Sequence, residues 1–292
     1  MNLEEIKSKK SISELLEFGI INIDKPSGPT SFDVSDFVRK KLGLRKTSHF
    51  GTLDPKVTGV LPIALNRACK LTGYFLGEDK EYIGVMRIHG EIDLEEIKKM
   101  IKNKFLGKIM QMPPVRSNVK RQYRQREIKR FELLEKDEKN ILFEVECEGG
   151  TYIRKLLHDL GEELGIGAHM LELRRTRAGL FEEDTSINLY NFEKAVEKYK
   201  KGNEELLRAI IIPAESVGNL YPIVEIKNGN LKSIFTGKPI YRKDLKKATP
   251  VKKDEEVVVF CEGRFIGMYK VIRGKEIFAK AQFVMQPLRE NL

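Results

Sequence analysis

Between residues 141 and 164 the spacing of the apolar residues changes period. Ile141, Phe143, Val145 and Cys147 share one face, with Glu144 and Glu146 opposite, the two-residue repeat of a half-buried strand. Gly149 and Gly150 interrupt it. Ile153, Leu156, Leu157, Leu160 and Leu164 then recur at helical spacing, so a helix is expected over about 152–164. A chain that turns from strand to helix across a glycine pair packs helices against a sheet, an α+β arrangement.

The same reading extends along the chain. From Gly19, GIINID is a buried strand stopped by Lys25-Pro26-Ser27-Gly28-Pro29, where two prolines and a glycine force a turn. Phe32, Val34, Phe37, Val38 and Leu42 suit a helix, with Thr30 or Ser31 as its N-cap. Residues 81–90 predict a strand, and 93–103 and 190–200 predict helices. Residues 1–18 read as a short, charged, partly helical N-terminal extension, and 19–215 as one domain. After Pro213 the composition changes to short strand-like runs broken by glycine: YPIVEI, GKPIYR, EVVVFCEG, RFIGMYKVI and EIFAKAQFVM. Residues 221–292 therefore predict a small β barrel.

Composition narrows the function. Lys and Arg number 53 against 43 Asp and Glu, a net charge of +10, and hydrophobic residues are 41%. That is enough apolar material for a core, and the excess positive charge suits a polyanion. No apolar run approaches the roughly 20 residues of a membrane span, and MNLEEIKSKK lacks the apolar stretch of a signal peptide. Cys69, Cys147 and Cys261 are widely separated, which points to a reduced, cytoplasmic protein rather than a disulfide framework. Neither a GxxxxGK[ST] loop, a full dinucleotide fingerprint, an HExxH nor a GxSxG elbow is present.

Three segments carry chemistry. In Thr47–Gly59 one carboxylate, Asp54, precedes Pro55 between glycines Gly51 and Gly59. A carboxylate held on a rigid loop serves as nucleophile or base, although a lone Asp-Pro more often only satisfies backbone amides. Cys147–Arg154 brings Tyr152 and Arg154 to a strand–helix junction, where Arg pairs with a carboxylate or phosphate. Between 116 and 130 lie Arg116, Lys120, Arg121, Arg124, Arg126, Lys129 and Arg130, with Glu127 the one acid. Such density reads as a mobile basic segment gripping RNA or DNA phosphates. Arg174, Arg175 and Arg177 read as a second basic cluster.

Together these segments resemble the TruB family of RNA pseudouridine synthases, most closely its archaeal and eukaryotic dyskerin-type branch. Asp24-Lys-Pro-Ser-Gly-Pro-Thr-Ser31 is similar to the family's DKPxGxTS motif, and His49–Pro62 to its catalytic motif. Lys80-Glu-Tyr82, Gly150–Arg154 with His158–Gly161, and Gly167–Gly179 resemble the motifs that follow. Pro113–Arg121 resembles the dyskerin-type PPxxSAVKR segment. Ser48 and Phe50 stand where the family commonly has glycine, and Asn118 where it has alanine.

The resemblance implies a mixed, largely antiparallel catalytic sheet with flanking helices, and a C-terminal PUA-like RNA-binding barrel. It implies isomerisation of uridine to pseudouridine in RNA, with neither cofactor nor metal. Asp54 becomes the catalytic nucleophile; attack on the ribose, attack on the base and an eliminated-sugar route all stay open. Arg154 pairs with Asp54 and holds it ionised and aimed, since a carboxylate in a closed pocket otherwise protonates. Tyr82 stacks on the target base, Tyr152 touches it, Leu173 packs against it, and His49 helps hold the RNA flipped, because a stacked base cannot be detached and turned. Residues 111–130 become a thumb over the RNA, with Arg116, Lys120, Arg121, Arg124 and Arg126 on phosphates. The implied substrates and partners are tRNA, at its T-loop uridine, and rRNA selected by an H/ACA guide RNA. A small zinc-ribbon-like protein, a small β-barrel protein and, through the guide RNA, a kink-turn-binding ribosomal protein complete the set. The competing reading is a non-catalytic RNA-binding scaffold.

Overall fold

In a computed structural model, which describes residues 2–114, 119–272 and 274–286, most elements lie within a few residues of their expected positions. The chain begins with α1 (Leu3–Ser8) and α2 (Ile12–Glu17), followed by β1 (Gly19–Lys25), α3 (Ser31–Leu42), β2 (Thr47–His49) and β3 (Thr58–Leu65). Next come α4 (Thr72–Leu76), β4 (Lys80–Ile88), α5 (Leu94–Met100), β5 (Gly107–Gln111), β6 (Arg124–Asp137) and β7 (Asn140–Cys147). Then α6 (Ile153–Glu163), β8 (Ala168–Ala178), β9 (Phe181–Glu182), β10 (Ile187–Asn188), α7 (Leu189–Lys200), α8 (Glu205–Ile210) and β11 (Ile211–Pro213) follow. The last elements are β12 (Ile223–Glu225), α9 (Leu231–Phe235), β13 (Ile240–Tyr241), β14 (Glu256–Cys261), β15 (Arg264–Val271) and β16 (Ile277–Val284). Two compact units result: Glu14–Ile211, and a second built from Ile212 onward with the N-terminal residues up to Ser13.

The first unit is organised on a sheet in the order β10-β1-β3-β8-β4-β7-β6-β5. The β1–β3, β4–β8, β4–β7, β6–β7 and β5–β6 pairs are antiparallel. Only β1–β10 and β3–β8 among these neighbours are parallel. A mixed, largely antiparallel sheet with flanking helices is what the family resemblance implies. Helix α3 starts where its sequence requires. Thr30 caps it by accepting from the Asp33 amide at 3.1 Å, while Asp33 accepts from the Thr30 amide at 2.9 Å, so two otherwise orphaned N–H groups are satisfied. Helix α6 buries four residues of its expected stripe, Ile153, Leu156, Leu157 and Leu160, and ends one residue before the fifth, Leu164, which is half-buried at its C-cap.

Two elements depart from expectation. Residues 124–130, read as part of a mobile basic segment, lie on the long strand β6. Residues 168–178 form the central strand β8, which the sequence reading left without an element. Register shifts between Glu81 and Tyr82, and between Val85 and Met86, break the β4–β8 ladder. Each shift leaves an extra residue on β8, Thr176 and Leu171, and offsets the two-residue alternation of that strand by one position, whereas β4 keeps its own.

In the second unit β12-β14-β15-β16-β13 form a five-stranded sheet. Val224, Ile234, Val257, Val259, Ile266, Tyr269 and Phe278 are among the side chains of its core. Lys10 reaches Glu215 within this unit at 2.5 Å.

Candidate active site

Asp54 sits on the loop between β2 and β3, and that loop is fastened at several points. The Val57 amide donates to the Asp54 carbonyl at 3.0 Å, closing a turn around Pro55. Buried Ser31, at the start of α3, accepts from the Leu53 amide at 2.8 Å and donates back to the Leu53 carbonyl at 3.0 Å. The Gly28 amide donates to the Pro55 carbonyl at 2.9 Å. The DKPxGxTS-like segment is thus the clamp of the carboxylate loop as well as a turn. Beneath the loop, Phe50 stacks on Phe75 at 4.5 Å and meets Phe181 at 5.9 Å. The phenyl ring standing at a position where the family commonly has glycine therefore fills the core.

Arg154, in the first turn of α6, brings Nη1 to 3.2 Å from Asp54 Oδ2. Both side chains are about half exposed, 53% and 48%, so the pair is open rather than enclosed in a closed pocket. Exposed ion pairs contribute on the order of 0–1 kcal/mol to stability; what this one supplies is a fixed direction for the carboxylate. The junction that carries Arg154 is fixed by buried Gln111, which donates to the Tyr152 carbonyl at 3.0 Å and accepts from the Tyr152 amide at 2.9 Å.

Tyr82 on β4 is buried, and its register partner on β8 is Arg175. Leu173 lies two residues earlier on β8, opposite Gly84. A Cβ at Gly84 would come within 2.9 Å of Leu173 Cδ1 and 2.6 Å of the Glu172 carbonyl, so glycine is what lets the strands close here. Burial pushes the Tyr82 hydroxyl above the ordinary tyrosine value, and the Arg175 charge opposes that rise. His49, at the end of β2, contacts Thr52 Oγ1 through Nε2 at 3.1 Å. Burial, then the Arg175 charge, pushes His49 below the ordinary histidine value.

Two lysines beside the site are buried. Lys25 Nζ donates to the carbonyls of Pro26 at 2.8 Å and Pro55 at 3.0 Å. Its burial pushes it below the ordinary lysine value, against the pull of the Asp54 charge. Lys80 Nζ donates to the carbonyls of Leu76 at 2.7 Å and of Glu78, and burial, reinforced by Arg175, lowers it to about 8. In the sequence Lys25 stands out only as part of a turn, and Gln111 only as the first residue of the basic segment. The signal that could have found Lys25 is its place at the end of a buried strand and directly before a double-proline turn, where a lysine has no solvent-facing position.

The basic residues sort themselves differently from the sequence expectation. Arg174, Arg175 and Arg177 are not a shared basic surface. Arg174 pairs with Asp24 at 3.0 Å and Glu183 at 2.5 Å. Arg177 pairs with Glu81 at 3.1 Å and Glu146 at 2.6 Å, while Arg175 is fully buried. In the thumb segment, Arg116 lies outside the described residues. Lys120 and Arg121 are exposed and Arg124 is half-buried. Arg126 donates to the Gly150 carbonyl at 3.2 Å and reaches Glu148 at 3.3 Å. Lys129 pairs with Asp79, and Arg130 with Glu81 and Glu144.

A mixed sheet that presents a loop carboxylate, an arginine and a buried tyrosine together defines a class, and known proteins identify it. Residues 39–153 match the N-terminal domain of the TruB family pseudouridylate synthases, and residues 154–217 match the tRNA pseudouridylate synthase B C-terminal domain. A probable tRNA pseudouridine synthase B of Methanopyrus kandleri is 46% identical over 230 residues, 78% of this chain and 68% of that protein. Its counterpart in Methanocaldococcus jannaschii is 44% identical over 253 residues, 86% and 75% of the two chains. A chain of a crystallised Cbf5–Nop10–Gar1 complex superposes with a TM-score of 0.88 at 37% identity, covering 96% of this chain and 89% of that one. A chain of an H/ACA ribonucleoprotein bound to a substrate RNA containing 2′-deoxyuridine gives 0.87 at 34% identity, with the same coverage. The chain belongs to the TruB family of pseudouridine synthases, and it is an enzyme that isomerises uridine in RNA.

Proposed function

We propose that Asp54 is the nucleophile of this isomerisation. The observation that carries the reading is the 3.2 Å pair between Asp54 and Arg154, on a loop clamped by Ser31 and Lys25. The reaction breaks the N1–C1′ bond of uridine, turns the base and joins C5 to C1′; the C5 proton leaves and N1 gains one. An ionised carboxylate aimed at the sugar or base provides a covalent handle during the turn. The half-open pair suits a target base that is flipped out of its stack and completes the pocket as it arrives. Tyr82 and Tyr152 contact that base, Leu173 lines it and His49 supports the flipped RNA. Lys120, Arg121, Arg124 and Arg126, with Arg116, contact phosphates, which position RNA without reading its sequence.

Selection of one uridine then comes from RNA structure or from base pairing. The tRNA T-loop offers the first, and an H/ACA guide on rRNA offers the second. Relatives named for tRNA, and structural neighbours assembled with Nop10, Gar1 and RNA, support both uses. We assign residues 1–18 to an N-terminal extension, 19–215 to the catalytic domain and 221–292 to a PUA-like barrel that docks guide RNA. The companions are a small zinc-ribbon-like protein, a small β-barrel protein and, on the guide RNA, a kink-turn-binding ribosomal protein. Three free cysteines suit the reducing cytoplasm, and among the described residues no helix is long and apolar enough to cross a membrane.

The test is tritium release from 5-tritiated uridine in a T-loop transcript and in a guide-paired substrate, the latter with each companion omitted in turn. Wild type should modify the T-loop alone and the guide-paired RNA only with its companions. Asp54→Asn should lose turnover on both while RNA affinity stays within a few-fold. Turnover by Asp54→Asn would overturn the assignment, and an inactive wild type that still binds RNA would favour a scaffold.

A further inference from the structure

Among the described residues Arg175 is the largest side chain to be fully buried, with 1% of its surface exposed. Among the described residues it makes no ion pair with a carboxylate. Burying a guanidinium without a counter-charge is costly unless its donors are strongly used. Here Nε donates to the Val60 carbonyl at 2.8 Å, and Nη2 donates to the Gly51 carbonyl at 3.1 Å. Gly51 lies at the start of the loop that carries Asp54, and Val60 lies on β3 just past its far end. Tyr82 is the register partner of Arg175 across β4–β8, which sets the two side chains on the same face of the sheet, and the Arg175 charge acts on the Tyr82 hydroxyl.

The two glycines of the loop answer to this residue. Gly51 has φ +95°, and a Cβ there would stand 3.2 Å from Arg175 Nη1. Gly59 has φ +99°, and a Cβ there would stand 2.2 Å from the Arg175 carbonyl oxygen and 2.9 Å from its amide nitrogen. Both ends of the loop are therefore shaped to approach Arg175, one through its side chain and one through its backbone.

We propose that Arg175 is a positioning residue of the reaction: its planar fork ties both ends of the Asp54 loop to the tyrosine that meets the base, and so sets the distance between nucleophile and substrate. The proposal rests on the roles given above to Asp54 and Tyr82. Being buried, Arg175 cannot grip a phosphate, which separates it from the basic residues that hold RNA. A lysine keeps the charge but not the fork, and a single ammonium cannot span both carbonyls in the same directions. Small displacements of a reacting group cost about 100-fold in rate.

Three measurements on the full-length protein test this, with a T-loop transcript as substrate. In Arg175→Lys the single-turnover rate should fall about 100-fold while the RNA Kd stays within threefold. Amide exchange should accelerate over residues 51–60 and stay unchanged in α6. Buried Phe192 on α7 meets Phe37 of α3 at 6.1 Å; Phe192→Leu, which loosens that contact, should lower the melting temperature and keep the wild-type rate. Arg175→Gln should match or exceed the defect of Arg175→Lys. Should Arg175→Gln not fold, Arg175→Lys carries the test alone. A wild-type rate in Arg175→Lys, or a rate loss matched by an equal rise in Kd, would overturn the proposal. Asp54→Asn run alongside separates the two ideas: its activity reports on the nucleophile, whereas loop exchange in Arg175→Lys reports on positioning even if another group attacks.

Discussion

Gly59 and Gly28 show how one residue type answers to two different demands. Both have positive φ, +99° and +114°, a region in which side chains are strained. Gly28 has open space where a Cβ would go, whereas at Gly59 that atom would run into the backbone of Arg175. Gly28→Ala should therefore cost about 1–2 kcal/mol of backbone strain alone. Gly59→Ala adds a steric clash that neither rigid strand can relieve, and should cost about 3 kcal/mol or more. Thermal melting checks this, and equal losses in the two variants would show that β3 and β8 can part at no cost. The Asp54 loop was legible in the sequence as a rigid turn, because proline and glycine punctuate it, and its catalytic reading came from the resemblance of the whole motif to the TruB family. Its dependence on Lys25 and Arg175, and that of the Arg154 junction on Gln111, was not, because each is a polar residue whose partners are backbone carbonyls or amides brought near only by the fold.

At the scale of elements, β6 divides the basic segment into two kinds of charge. Arg121 precedes the strand and is exposed, whereas Arg126 lies on it and is spoken for by Glu148 and the Gly150 carbonyl. A phosphate contact by an exposed arginine releases counterions, and its loss should reduce the log–log salt slope of RNA binding by about 0.7 to 0.9. Arg121→Ala should show that reduction. Arg126→Ala should show a smaller one and loosen the Gly150 turn that leads into α6, slowing catalysis as well. Binding isotherms over a salt series, with single-turnover rates, distinguish the two; a full slope change for Arg126→Ala would mean that it leaves Glu148 for the RNA. The density of Lys and Arg between 116 and 130 signalled an anionic partner, but the charge pattern alone could not tell a free arginine from one paired across a sheet.

Across the whole molecule, the second unit holds a feature that affects stability without touching the site. Tyr269 is fully buried in the core of the five-stranded sheet, and its hydroxyl has no hydrogen-bond partner among the described residues. Burial raises its ionisation to about 12, whereas an unfolded chain ionises tyrosine near 10. Between those values the folded state holds a proton that the unfolded state has released, so stability falls as pH rises from 10 towards 12, by up to about 1.4 kcal/mol per pH unit. Tyr269→Phe should remove that slope and, by deleting an unsatisfied buried hydroxyl, leave stability at pH 7 equal or higher. Denaturant melts at pH 7 and pH 11 test both statements, and an unchanged slope would mean that water reaches the hydroxyl. The sequence by itself determined the elements whose periodicity is local: β1, α3, β7, α6 and the short strands after Pro213. It also determined the family, because long motifs kept their order and spacing. Through the family resemblance it also implied that Arg154 pairs with Asp54. Tertiary structure alone decided that this pair stands half exposed rather than closed in a pocket, and that of three neighbouring arginines two are held by carboxylates and one is a buried fork. It also decided that β8, rather than a loop, carries Leu173 and Arg175 to the site. The physical reason is that burial and pairing belong to a side chain's neighbours in space, and register shifts against β4 erase the local periodicity of β8 that would have announced them.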